Sequence, residues 1–224
     1  MPSATSGVTE SPPAIDSERG TLLKSAPPFP ITVRLVVGVS GASGAVYAIR
    51  ALEAFKALGV ETHLVVTSAA KETIRLETDL GVPAVERLAS HVYRVDDIAA
   101  PVASGSFHTD GMVVIPCSMK TLAGVASGYS DNLLLRAADV SLKERRPLVL
   151  VVREAPLSLI HLENMVTVTR AGAVVLPAMP SFYQRPKTVE AIVDQIVGRV
   201  LDTLGIDHQM SARWTGAPGP SKKR

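Results

Sequence analysis

The chain has 224 residues, a formal net charge of +2, and a composition that is 46% apolar but only 4% aromatic. That length suits one domain with an aliphatic core, and so small a net charge gives no reason to expect a nucleic-acid partner. Cys117 is the single cysteine, which excludes an internal disulfide and a cysteine-rich metal site and fits a reducing, cytoplasmic compartment.

Residues 1–30 are rich in Ser, Thr, Pro and Ala and carry Glu10, Asp16 and Glu18. They lack the apolar centre of a secretory signal and read as a flexible arm. No run of about 18 apolar residues occurs anywhere, so no membrane span is expected. From Thr32 onward, apolar runs alternate with helical patterns. The spacing predicts a strand at 32–39, a helix at 44–59 closed by Gly59, and a strand at 61–67. A helix at 68–81 follows, capped by Ser68, then a short helix at 83–90 and a strand at 111–116. Next come a helix at 131–147 stopped by Pro147, a strand at 148–152, a helix at 157–170 and a strand at 173–177. In the last helix Val189, Ile192, Val193, Ile196, Val197, Val200, Leu201 and Leu204 recur at spacings of three and four, a stripe facing the core. Short, continuously apolar strands between helices imply a parallel sheet covered on both faces, a doubly wound Rossmann-like α/β domain over 31–210. Residues 211–224 form a tail ending in "SKKR". Ligands in such folds sit beyond the carboxyl ends of the strands.

The first of those ends is "VGVSGASGAVYAIR", where Gly38, Gly41 and Gly44 are spaced by three. This is neither the dinucleotide fingerprint nor a Walker loop. It is either a tight strand-to-helix turn or an anion cradle, with Ser40 and Ser43 as hydroxyl donors and the next helix presenting its positive end. Thr67 and Ser68 end the second strand, and Ser118, Lys120 and Thr121 open another helix in "CSMKTLAG". Three strand ends rich in hydroxyls suit a nucleotide-type ligand. Cys117 is either a nucleophile or a small buried hydrophobe.

Cations cluster in "LLLRAADVSLKERRPLVLVVREAP". Arg136 and Lys143 share a helix face with Asp139 between them, which is either a solvated salt-bridge face or part of a site. Arg153 and Glu154 directly follow an apolar strand, where this fold puts ligands. Arg185 and Arg199 add charge; Arg199, at the edge of the apolar stripe, either snorkels or meets a ligand. "VDDIAA" holds one Asp pair and no third carboxylate, and the five histidines lack ligand spacing, so no metal is expected. Arginine and lysine would then bear a monophosphate directly.

The blocks "VGVSGASGAVYAIR", "LETD", "ASGSF", "PCSMKTLAGVASGYSDNLLLRAADVSLKERRPLVLVVREAP", "HLENM", "GAVVLPAMPSFYQRP" and "ARW" resemble, in this order, the UbiX family of flavin prenyltransferases. The resemblance implies a metal-independent enzyme that binds reduced FMN and dimethylallyl phosphate. It would join the five-carbon unit to flavin N5 and C6, giving prenylated FMN for UbiD-type decarboxylases. It implies a homododecamer with the site between subunits. FMN contacts fall on Gly41, Ala42, Ser43, Thr67, Ser118, Met119, Lys120, Thr121 and Arg153. The donor phosphate falls to Tyr183 and Arg199, with Arg136 and Lys143, and catalytic roles to Ser43, Glu77, Glu154 and Tyr183. Thr67 replaces the Ser common in the family, and Lys120 stands where some members have Gly. Two rivals are an FMN-dependent peptidyl-cysteine decarboxylase and a non-catalytic FMN carrier; no His here has the strand-end context of the former.

Overall fold

The computed structural model describes residues 32–211, Arg213 and Gly216. The expected N-terminal arm, most of the expected tail, and Ala212 and Trp214 of the "ARW" block lie outside the described residues. Among these residues, six strands form one parallel sheet: β1 (Arg34–Val39), β2 (Glu61–Val66), β3 (His91–Tyr93), β4 (Gly111–Cys117), β5 (Leu148–Val152) and β6 (Val174–Val175). Their spatial order is β3-β2-β1-β4-β5-β6, so the chain reverses direction across the sheet between β1 and β4. That switch point is where open α/β sheets leave a crevice. Val37 of β1 pairs with Leu64 on one side and Val113 on the other.

Among the described residues, seven helices cover the two faces: α1 (Ala45–Ala57), α2 (Ser68–Glu77), α3 (Val82–Glu86), α4 (Met119–Ser127), α5 (Leu133–Lys143), α6 (Leu159–Arg170) and α7 (Val189–Thr203). Strand side chains alternate between the faces. Leu35, Val37 and Val39 pack with Leu52 and Phe55 of α1, Ile74 of α2 and Ile196, Val197 and Val200 of α7. Val36, Met112 and Val114 pack instead with Leu122 of α4, Leu133 and Leu134 of α5 and Val168 of α6. Phe55 is fully buried, which contributes about 2–3 kcal/mol of hydrophobic stabilisation.

The central strands and the long helices lie where the apolar runs predict. The differences have local causes. Helix α2 ends at Glu77, short of 81, because the Thr78 hydroxyl donates to the Ile74 carbonyl and its backbone turns extended. Its cap is Thr67, whose Oγ1 accepts the Ala70 N–H, and not Ser68. Helix α5 starts later and ends earlier than expected: Asn132 caps it and Arg145, at φ 56°, has left the helix. Val189 is 67% exposed, so the stripe of α7 reaches the core only from Val193 onward. Strand β3 was not expected. Among the described residues no helix is long and apolar enough to cross a membrane.

Candidate active site

The glycine loop leaves β1 and turns at once into α1. Gly38 is inside the strand, against Leu134, so it belongs to the packing and not to a cradle. Gly41 is pressed on the start of α2: a Cβ there would sit 2.4 Å from the Ala69 Cβ. Gly44 has φ 113°, which a residue with a side chain rarely adopts. The buried Ser40 hydroxyl donates to the Pro116 carbonyl at 2.9 Å and accepts the Ser118 N–H at 2.7 Å. Its expected role as a ligand donor is therefore replaced by a structural one, tying the end of β1 to the end of β4.

Helix α1 has no side-chain cap of its own. Glu77, at the far end of α2, supplies one: its Oε2 accepts the N–H groups of Gly44 and Ala45, each at 2.8 Å. Burial pushes the Glu77 carboxyl up, but hydrogen bonds from the Ser43 hydroxyl and from these backbone N–H groups, with the field of Arg153, bring it net below its ordinary value. Glu77 is thus ionised at neutral pH and holds the Ser43 hydroxyl. The Arg153 Nε–H donates to the Ser43 carbonyl at 2.9 Å, which fastens β5 to the same loop.

The hydroxyls at the neighbouring strand ends are also N-caps. Besides Thr67, the Ser118 Oγ accepts the Thr121 N–H at 3.3 Å and donates to the Thr121 Oγ1 at 3.1 Å. Ala42 is buried, Met119 is half-buried against the α4 core and Lys120 is exposed on the first turn of α4. The amino ends of α1, α2 and α4 therefore meet the carboxyl ends of β1, β2 and β4, adjacent in the sheet, with Arg153 at the end of the next strand. Helix N-termini carry N–H groups and partial positive charge; that of α1 is taken by the Glu77 carboxylate, whereas those of α2 and α4, each capped at one N–H only, stand with the Arg153 guanidinium as an anion site. Glu154 is exposed at the same mouth; its carboxylate accepts the Ala155 N–H at 3.0 Å and makes no ion pair with Arg153 among the described contacts.

The other expected residues fall into two groups. Tyr183 and Arg199 line one cavity of about 310 Å³, together with Ser181, Gln195, Asp202 and Arg213. Gln195, buried on α7, accepts from both the N–H and the hydroxyl of Ser181 and so fixes the loop that carries Tyr183. Arg136 and Lys143 are elsewhere. Arg136 pairs with Asp139 at 2.6 Å and donates through Nε to the Ala103 carbonyl. Lys143 pairs with Glu144 and not with Asp139, and lies against Gly105, toward the end of the sheet where the strands begin. One chain does not bring these two cations to the glycine loop.

Cys117 is fully buried and its thiol is pushed up to about 12 by desolvation, so the hydrophobe reading holds and the nucleophile reading does not. At the amino ends of β2 and β3, Glu61, His63 and His91 bring ligand atoms within 4.8 Å of one another. The two imidazoles are stacked, 4.6 Å between centroids with planes 19° apart, so their lone pairs run side by side and do not converge. Glu61 is already paired with Arg34 at 3.0 Å.

Asp202, Arg213 and Gln195 are the site residues that sequence reasoning missed. Asp202 had one signal, its i,i+3 spacing from Arg199. Arg213 stood only within the "ARW" block, with nothing to tie it to Arg199, because its place is set by the packing of the chain after α7.

Residues 31–201 match the Flavoprotein family. The probable UbiX-like flavin prenyltransferase of Bacillus subtilis (strain 168) is 54% identical over 82% of this chain and 90% of that protein. The crystal structure of AnUbiX (PadA1) in complex with FMN and dimethylallyl pyrophosphate is 52% identical, with a TM-score of 0.82 over 84% of this chain and 100% of that one. That of the dodecameric FMN-dependent UbiX-like decarboxylase from Escherichia coli O157:H7 is also 52% identical, with a TM-score of 0.81 over 82% and 100% of the two chains. On that breadth of identity and shared architecture, the chain belongs to the UbiX family of flavin prenyltransferases.

Proposed function

We propose that this chain transfers the dimethylallyl group of dimethylallyl phosphate to N5 and C6 of reduced FMN, without a metal, and passes the prenylated FMN to a UbiD-type decarboxylase. The observation that carries the reading is the convergence of the N-termini of α2 and α4 and of Arg153 around the Gly41–Gly44 turn, which Glu77 pins at the start of α1. The residues fit FMN: a Cβ at Gly41 would collide with Ala69 and displace the loop from the start of α2, and the N–H groups, the hydroxyls and Arg153 suit a phosphate and a ribityl chain. Gly41, Ala42, Ser43, Thr67, Ser118, Met119, Lys120, Thr121 and Arg153 would hold it.

Reduced FMN, when bound, supplies the nucleophile. The rest is the work of this chain. Glu77, held ionised, is the base of its pair: it keeps the Ser43 hydroxyl proton on its own side and leaves the Ser43 oxygen as an acceptor for the proton at flavin N5. Tyr183 and Arg199 bind the donor phosphate and stabilise the charge that grows on it as the allylic C–O bond breaks. Glu154, at the strand mouth, is a second proton acceptor. The phosphate leaves with the electron pair of that bond, so water must be kept from the allylic carbon.

Arg136 and Lys143 reach the donor phosphate from a second copy of the chain. Their position away from the glycine loop, and the dodecameric relative, support a homododecamer with sites between subunits. The lone, buried thiol suits a reducing cytoplasm. Mass spectrometry of the flavin extracted after incubation with reductant and dimethylallyl phosphate tests the reading. The flavin should gain one five-carbon prenyl unit; an unchanged flavin mass would leave a carrier, and decarboxylation of a peptidyl cysteine would make it an enzyme of a different reaction.

A further inference from the structure

The cavity of Tyr183 and Arg199 contains a second guanidinium. Asp202, on the last turn of α7, accepts from Arg199 Nη1 at 2.9 Å through Oδ2 and is ion-paired with Arg213, whose Nη1 lies 3.1 Å from Oδ1. The third partner is His208, whose Nε2 lies 3.1 Å from Oδ1. The His208 Nδ1 accepts the Met210 N–H, so in the neutral ring the proton is on Nε2 and is donated to Asp202. Gly198 lets the segment after α7 lie this close: a Cβ there would sit 2.8 Å from the Ser211 Oγ and 3.1 Å from the His208 ring.

The exposures separate anchor from working groups. The Asp202 side chain is 19% exposed, whereas Arg199 and Arg213 are 67% and 63% exposed. Each guanidinium is gripped at one nitrogen, and its planar fork has further donors for another oxygen. Two cations held by one carboxylate leave an uncompensated positive charge in a cavity whose other walls include the hydroxyl-bearing residues Ser181, Tyr183 and Ser211. We propose that Arg213 is a second guanidinium ligand for the phosphate of the prenyl donor, and that Asp202 is the positioning residue that sets Arg199 and Arg213 side by side. This rests on reading the cavity as the donor's phosphate site.

The test uses the full chain and inorganic phosphate as a calorimetric probe, with donor KM, kcat and FMN affinity measured in parallel. Arg213→Ala should weaken phosphate binding and raise the donor KM about tenfold, more than it lowers kcat, with FMN affinity unchanged. Arg213→Lys should recover part of the loss, because the charge returns without the fork. Asp202→Asn should raise the donor KM, and Asp202→Glu should restore it in part. Wild-type phosphate affinity and KM in Arg213→Ala would overturn the proposal, as would a loss matched by equal loss of FMN binding and melting temperature, the mark of a tail that is merely structural. Arg199→Ala separates the two levels: if it too leaves phosphate binding unchanged, the cavity is not the donor site and the reading above falls. If only Arg213→Ala is silent, that reading stands and this inference alone fails.

Discussion

At the amino ends of β1, β2 and β3, charged and aromatic side chains close on one another. Glu61 takes Arg34 and His63, His63 reaches the Tyr93 hydroxyl at 2.9 Å, and Arg34 lies over the Phe107 ring at 5.0 Å. At the carboxyl ends of β1, β2, β4 and β5 the polar groups are fixed from behind. Ser40, Glu77 and the Thr67 and Ser118 caps bond to backbone, and Arg153 is tied to the Ser43 carbonyl beside the helix ends. Both ends are polar. One pairs its charges with one another; the other pins its groups in place and, on the first turns of α2 and α4, leaves N–H donors for a ligand. A polar cluster becomes a site when its bonds hold the donors in position without consuming them.

The sharpest way to break this contrast is at Gly41. Gly41→Val places carbon 2.4 Å from the Ala69 Cβ, on the first turn of α2, where neither backbone can yield without moving a helix N-terminus. FMN affinity should fall on the order of a hundredfold, read by flavin fluorescence titration, since the loop no longer presents its N–H groups to the phosphate. Circular dichroism should show the sheet still formed. A variant that folds and binds FMN like wild type would separate the glycine turn from the flavin.

Glu77→Gln tests the pinning itself. The amide keeps the shape, loses the negative charge that faces the amino end of α1, and cannot act as a base. Prenyl transfer should slow about a hundredfold while FMN remains bound. The pH dependence has a definite sign. Because hydrogen bonds outweigh burial and lower the folded carboxyl, its contribution is complete above its ordinary value of about 4.3 and is lost as pH falls through the lowered folded value. Wild-type turnover in the amide variant would remove Glu77 from the mechanism.

The sequence made the carboxyl end legible and hid the amino end. β1, β2, β4 and β5 are interior strands, so the carboxyl half of each is an apolar run that ends at its ligand loop. The glycines, hydroxyls and Arg153 then stand directly after those runs. β3 was invisible because His91–Tyr93 is three residues long and is half exposed at the edge of the sheet. Ser40 was misassigned because a serine in a glycine loop looks the same whether its hydroxyl faces a ligand or the Pro116 carbonyl, 76 positions away. The Asp202–Arg213 pair likewise depends on how the chain folds back after α7, which no spacing records.

The amino end offers the smallest effect and a clean control. Burial lowers His63 below its ordinary value, against the opposing effect of its hydrogen bond to the Glu61 carboxylate. The unfolded chain then binds more protons than the folded one near and below pH 6.5, so stability should fall as pH drops through that value toward the lowered folded one. Glu61 is held below the usual carboxylate range, chiefly by its hydrogen bond with Arg34, and loses its contribution only at more acid pH. Melting temperatures of the wild type should therefore decline between pH 7 and about 5.5. His63→Gln keeps a polar side chain that can bond Tyr93 but does not titrate, and should flatten that decline by a few degrees. Prenyl transfer per folded molecule at pH 7 should be the same in both, because His63 lies in the amino half of β2 and bonds only within the cluster. If the variant instead lost FMN affinity while its melting curve kept the wild-type pH dependence, the two ends of the sheet would be coupled and the division of labour drawn here would be wrong.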